Sequence, residues 1–225
     1  FMKSTFQTIR ALIRKDMQIE SHTREIFTVM LVFALSILFI LNFALEQNVK
    51  VRTGSAAGLI WIILILAGQL GLNQIMGIEK QGNMIEALLA SPVPRSAIYL
   101  SKTISAFVFM FLMALIIHPL YCIFYNVPMI SPNFILVSAL GCWGYAALGV
   151  LISAMTIQTR TRDILLPVLF YPLIIPLVVT TVKVTGLILS GENFSSLLSS
   201  LYQILAFDVI FTASGILGFE LIVED

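Results

Sequence analysis

From Thr103 to Thr159 the chain carries no lysine, arginine, aspartate or glutamate. As one helix that run would extend about 85 Å at 1.5 Å per residue, far more than the ~30 Å of hydrocarbon in a bilayer. It must therefore turn back on itself. The turn is written at 125–133, YNVPMISPN, where two prolines and two asparagines cluster. Two further uncharged runs, Ile26–Leu45 and Thr53–Ile78, are each long enough to cross a membrane. The 225 residues are 59% hydrophobic and only 11% charged, whereas a soluble domain carries about a quarter charged residues. The chain is read as an all-α, polytopic membrane protein with six transmembrane helices, at about 26–45, 55–78, 98–125, 133–157, 164–189 and 200–223. The last third is the least regular, because Lys183 interrupts the fifth span and Asp208 the sixth; a broken or re-entrant segment is open there.

Residues 1–25 precede the first span and are too polar for the apolar core of a cleavable signal peptide. Phe6, Ile9, Ile13 and Met17 recur at helical spacing, with Lys3, Arg10 and Arg14 beside them. That pattern predicts an amphipathic helix in the membrane interface, its basic heads near anionic phosphates. Six spans put both ends on one side, which then holds Lys3, Arg10, Arg14, Lys15, Arg24, Lys80, Arg95, Lys102, Arg160 and Arg162. The other side holds Lys50, Arg52 and Lys183. Ten against three places both termini in the cytoplasm.

Much chemistry is excluded. No GxxxxGK[ST] occurs, so nucleotide hydrolysis through a P-loop is not encoded here. Cys122 and Cys142 stand in no metal or haem-attachment spacing, and a net charge of +1 gives no case for nucleic acid. No nucleophile and base share a plausible face, so the chain is not expected to be an enzyme, and no cofactor is expected on it. Energy must come from an ion gradient or from another subunit. A gradient-driven carrier needs ionisable groups within the membrane, and the candidates are His118, Lys183 and Asp208. His118 precedes Pro119 and is either a ligand or proton site, or a neutral ring bonded to the backbone that the proline frees. Lys183 can snorkel outward; Asp208 is placed about two turns below the outer surface. Pro167, Pro172 and Pro176 predict a fifth span bent or locally unwound more than once, as a static kink or as a compliant element. Gly141, Gly144, Ala147 and Gly149 predict close helix approach in the fourth span.

The most shaped polar stretch runs from Gly77 to Lys102. Glu79 and Glu86 are seven residues apart on one helical face, and Ile78, Ile85 and Leu89 follow the same repeat. Pro92 ends that helix, Val93-Pro94 stays extended, and Ser96 is expected to cap the third span. A plain connector needs only a few residues, so a cytoplasmic coupling helix that docks a partner is favoured over a solvated loop.

This stretch, E-x-x-G-x-x-x-E-x-L-L-x-S-P-V-P-R-x-x-I-Y-L-x-K, resembles the first cytoplasmic loop of ABC-2-type permeases, and more narrowly the CcmB family of cytochrome c maturation. The resemblance extends to the six-span layout and to YPLIIPLVV in the fifth span. It implies a single transmembrane permease domain over 1–225 in the bacterial inner membrane, with a coupling segment at 79–97. The residues it assigns to ATPase coupling are Glu79, Gly82, Ile85, Glu86, Leu89, Pro92, Pro94 and Arg95. It implies a separate CcmA-like ATPase subunit that binds ATP, CcmC-like and CcmD-like membrane subunits, and indirectly a haem chaperone; haem would be the cargo of the complex. His118, Pro172, Pro176 and Asp208 are the candidate intramembrane functional residues. The alternatives are a permease of another ABC-2-type exporter, for drug, lipid or polysaccharide, and a gradient-driven carrier.

Overall fold

The computed structural model describes residues 2–45, 49–81, 93–127, 131–156 and 162–222. Among them the chain forms seven helices and no strand: α1 (Met2–Thr23), α2 (Glu25–Ala44), α3 (Val49–Gln81), α4 (Arg95–Tyr125), α5 (Pro132–Thr156), α6 (Arg162–Leu189) and α7 (Phe194–Ile222). The last six are long and apolar enough to cross a membrane. The expected coupling helix falls on residues outside those described.

The ends of the helices follow local chemistry. α1 stops at Arg24, which takes a left-handed conformation (φ 54°), and the Arg24 N–H donates to Glu20 O at 2.7 Å. The Glu20 side chain then turns onto the next helix. It accepts from Ile26 N at 3.2 Å and Phe27 N at 2.8 Å, two of the N–H groups that open α2 without an intrahelical partner. Glu20 is itself buried. Glu20→Ala is expected to cost about 1–2 kcal/mol, as loss of an N-cap does, read as a lowered Tm in detergent, while Glu20→Gln loses less.

The turn predicted at 125–133 is present. Asn126 closes α4 in the left-handed region (φ 52°). Ser131 starts α5, its hydroxyl accepting from Phe134 N at 3.2 Å, with Pro132 in the first helical position that suits its fixed φ. Between α6 and α7, Gly191 (φ 75°) makes the tight turn, its N–H and that of Glu192 returning to Ile188 O and Leu187 O.

Three expectations are corrected. Ser96 does not cap the third span: α4 begins at Arg95 with Pro94 before it and no side-chain cap, so Ser96 lies within the first turn. The sixth span is an unbroken helix that starts at Phe194 rather than near 200; the serines at 195, 196, 199 and 200 lower hydropathy without interrupting the backbone ladder. Asp208 is the central residue of that 29-residue helix, about 21 Å from either end at 1.5 Å per residue. The fifth span is likewise continuous from Arg162 to Leu189 with all three prolines inside it. Pro172 and Pro176 are exposed on its outer face, while Leu166, Phe170, Ile174, Leu177 and Thr181 face inward. No local unwinding accompanies them.

Helices α3 and α5 form the centre. α5 packs against α4, α6, α7 and α3, and α3 also against α2, α4 and α6. Between apolar helices in lipid there is no water to expel, so association rests on close packing and interhelical hydrogen bonds. Both are visible. The small residues of α5 receive bulky groups from its neighbours: Trp61 sits over Gly141, Asp208 and Leu177 over Gly144, and Leu72 over Gly149. Tyrosine and tryptophan bridge helix pairs: Tyr121 Oη donates to Ala56 O at 3.1 Å, Tyr145 Oη to Ile65 O at 3.1 Å, and Trp61 Nε1 to Thr185 Oγ1 at 3.0 Å.

Candidate functional site

Two polar residues in the first turns of α4, Tyr99 and Lys102, bridge it to other helices just past the 79–97 segment. Pro94 precedes the helix with φ −57°, and both Pro94 and Arg95 are half-buried. Tyr99 follows one turn later. It is fully buried, and its single hydroxyl proton is shared between Ala147 O of α5 at 3.0 Å and Phe211 O of α7 at 3.2 Å. Its ring lies where a side chain at Gly215 of α7 would have to be, and Phe219 packs beside it with centroids 5.8 Å apart. One side chain thus ties α4 to both α5 and α7.

Lys102 points the other way. Its ammonium donates to Asp16 of α1 at 2.9 Å (Oδ1) and 3.0 Å (Oδ2), and Ser105 Oγ adds a third bond to Asp16 Oδ2 at 3.0 Å. The lysine and aspartate side chains are 6% and 9% exposed, so this pair is shielded from solvent and little screened by salt. Lys15, one third exposed, stands 3.9 Å from the same carboxylate. Leu12 and Met17 of α1 pack onto the core beside it. The N-terminal helix is therefore fastened to α4 by a buried ion pair, with Arg10 and Arg14 left on its exposed side. Sequence reasoning marked Tyr99 and Lys102 within the motif but assigned them no partner. It missed Asp16, although two acids four residues apart, Asp16 and Glu20, in an otherwise basic segment border the apolar stripe.

The remaining coupling residues, Gly82, Ile85, Glu86, Leu89 and Pro92, lie outside the described residues, as does the Glu79 side chain. The intramembrane candidates are not brought together. His118 is buried against Phe134, with ring centroids 4.5 Å apart, and its Nε2 has no hydrogen-bond partner among the described residues. Asp208 is buried against Gly144, ten positions further along α5, which is about 15 Å of helix. Lys183 is exposed near the far end of α6. Among the described residues no group of three or more His, Cys, Asp or Glu could hold a metal ion.

The contact from Tyr99 to Phe219 places the end of α7 at the same face of the bundle as α1 and the start of α4. Residues 7–215 match the family described as CcmB protein. The chain belongs to the CcmB family. Two relatives are both named "Heme exporter protein B". One, from Rhodobacter capsulatus, is 24% identical over 169 residues, 75% of this chain and 78% of that protein. Another, from Pseudomonas aeruginosa, is 25% identical over 150 residues, 66% of this chain and 67% of its own length. The CcmB match spans α1 from its second turn through most of α7, so it includes Asp16, Tyr99, Lys102 and Gly215.

Proposed function

We propose that this chain is the membrane-spanning permease subunit of an ABC transporter complex of cytochrome c maturation, serving haem export or the release of a haem-loaded chaperone. A separate ATPase subunit docks on the 79–97 segment and supplies the energy. The chain spans the bacterial inner membrane with both termini in the cytoplasm, consistent with ten of thirteen lysines and arginines falling on that side.

The observation that carries this reading is the placement of α4. A segment that joins α3 to α4 can transmit force only if the helix it pulls on is held to others. The first three turns of α4 supply that hold through Tyr99, on α5 and α7, and through Lys102 and Ser105, on α1. Pro94 fixes φ at the entry, which limits how much motion the joint absorbs. A displacement of the docked segment is then passed to α1, α4, α5 and α7 together. The separation of His118, Lys183 and Asp208 gives no proton or ion relay, which favours a subunit driven from outside over a gradient-driven carrier.

Glu86→Lys puts a cation where the segment presents a carboxylate to its partner. The ATPase retained on co-purification is expected to fall to less than about a tenth of the parent level. Undiminished ATPase binding and hydrolysis in the variant complex would overturn docking at this segment.

A further inference from the structure

The fold sorts the charges of α1 by face. Its two acids both turn inward: Asp16 meets Lys102 and Ser105, and Glu20 accepts from Ile26 N and Phe27 N. Arg10 and Arg14 are exposed, with the uncharged Gln7 and Gln18 beside them. No described carboxylate pairs with either arginine. Four residues before Arg10, and so on the same side of the helix, stands Phe6, which is 70% exposed. The outward edge of α1 is therefore basic along two turns and apolar at its start.

Two helix lengths give the depth of this edge. α2 has 20 residues, about 30 Å at 1.5 Å per residue. It matches the hydrocarbon thickness, which sets Glu25 at one boundary. α4 has 31 residues, about 46 Å, and so exceeds that thickness by about 16 Å. Counted back from its far end at Tyr125, about 30 Å of helix reaches Ser105, the residue bound to Asp16. α1 thus meets the hydrocarbon boundary at Asp16 and again where α2 begins, and it lies along the headgroup layer between them. Cations at that level are attracted to anionic headgroups, and acyl chains supply the apolar neighbour that an exposed Phe6 needs. A soluble acidic protein would have to enter the headgroup layer to reach the same edge. We propose that Phe6, Arg10 and Arg14 form a binding edge for anionic phospholipid, with phosphate on the arginines and an acyl chain on the ring. Lipid then clamps α1 from outside while Lys102 holds it from inside. The inference needs the chain to cross a membrane and is independent of what drives it.

The test uses the assembled complex in phosphatidylcholine vesicles that hold a minor share of phosphatidylglycerol. A photo-cross-linking amino acid is placed at Gln7, exposed on α1, with a control at Val168, exposed on α6. Mass spectrometry of the adducts is expected to show phosphatidylglycerol enriched over its share of the bilayer at position 7 and not at position 168. Arg10→Gln or Arg14→Gln alone is expected to lower the ratio of phosphatidylglycerol to phosphatidylcholine adducts about fivefold, and both together to bring it near the control's. Arg10→Lys/Arg14→Lys keeps the charge and should hold the ratio within about twofold. Adducts in proportion to bulk lipid, a ratio unchanged in the double glutamine variant, or capture of a protein subunit in place of lipid would overturn the proposal. Glu86→Lys leaves this edge intact, so the ratio is expected to survive in that variant even where ATPase docking is lost.

Discussion

Lys102→Ala is expected to destabilise the folded protein by about 3–5 kcal/mol, because removing one partner strands the other as a buried, uncompensated charge. Among the described residues Asp16 would keep Ser105 and the one-third-exposed Lys15. Asp16→Ala should do comparable damage by stranding the lysine. The double variant Asp16→Ala/Lys102→Ala should recover much of the loss, since removing both charges together also removes the penalty of burying them. Thermal unfolding in detergent, analysed as a double-mutant cycle, measures the coupling. Additive losses would mean the two groups act separately and that α1 is not latched by this pair. The functional consequence is separable: the double variant, stable but unlatched, should bind the ATPase and yet mature cytochrome c poorly.

The second large effect belongs to Tyr99. Tyr99→Ala empties a fully enclosed site between three helices and should cost about 3–5 kcal/mol, as other aromatic truncations in cores do. Tyr99→Phe keeps the ring and loses only the hydroxyl bonds to Ala147 O and Phe211 O. Those carbonyls lie within helices, so this variant should cost only about 1 kcal/mol. From the opposite side, Gly215→Leu drives a side chain into the Tyr99 ring and should cost about 1–3 kcal/mol by overpacking. Tm values for the three variants check the ranking; a Tyr99→Phe loss equal to that of Tyr99→Ala would shift the weight from ring packing to the hydroxyl.

How much of this was legible depends on which force wrote it. The spans were readable because hydrocarbon tolerates few charges, so uncharged runs map onto crossings within a few residues. The turn at 125–133 was readable because Asn126, Ser131 and Pro132 each suit one backbone conformation. The start of α7 was not, since the serines before Leu201 look like a loop by hydropathy yet cost little inside a helix. The prolines of α6 suggested bends or local unwinding, yet the helix runs unbroken through all three, with Pro172 and Pro176 on its exposed face. Glycines 141, 144 and 149 announced close packing without saying that Trp61, Asp208 and Leu72 would fill them. Asp16 was invisible as a site because its partner is 86 residues away, and such pairing is decided by tertiary packing. The loop motif runs into the first two turns of α4, and what Tyr99 and Lys102 grip there had to be seen in the fold.

That grip matters only if something pulls on it. Site-specific photo-cross-linking from Glu86 in the assembled complex tests this most directly. The account predicts a covalent adduct between position 86 and the ATPase subunit, absent from a control at Val168 on the exposed face of α6. An adduct from position 86 that forms only with lipid or with other membrane subunits, while the ATPase is captured elsewhere on the chain, would contradict it.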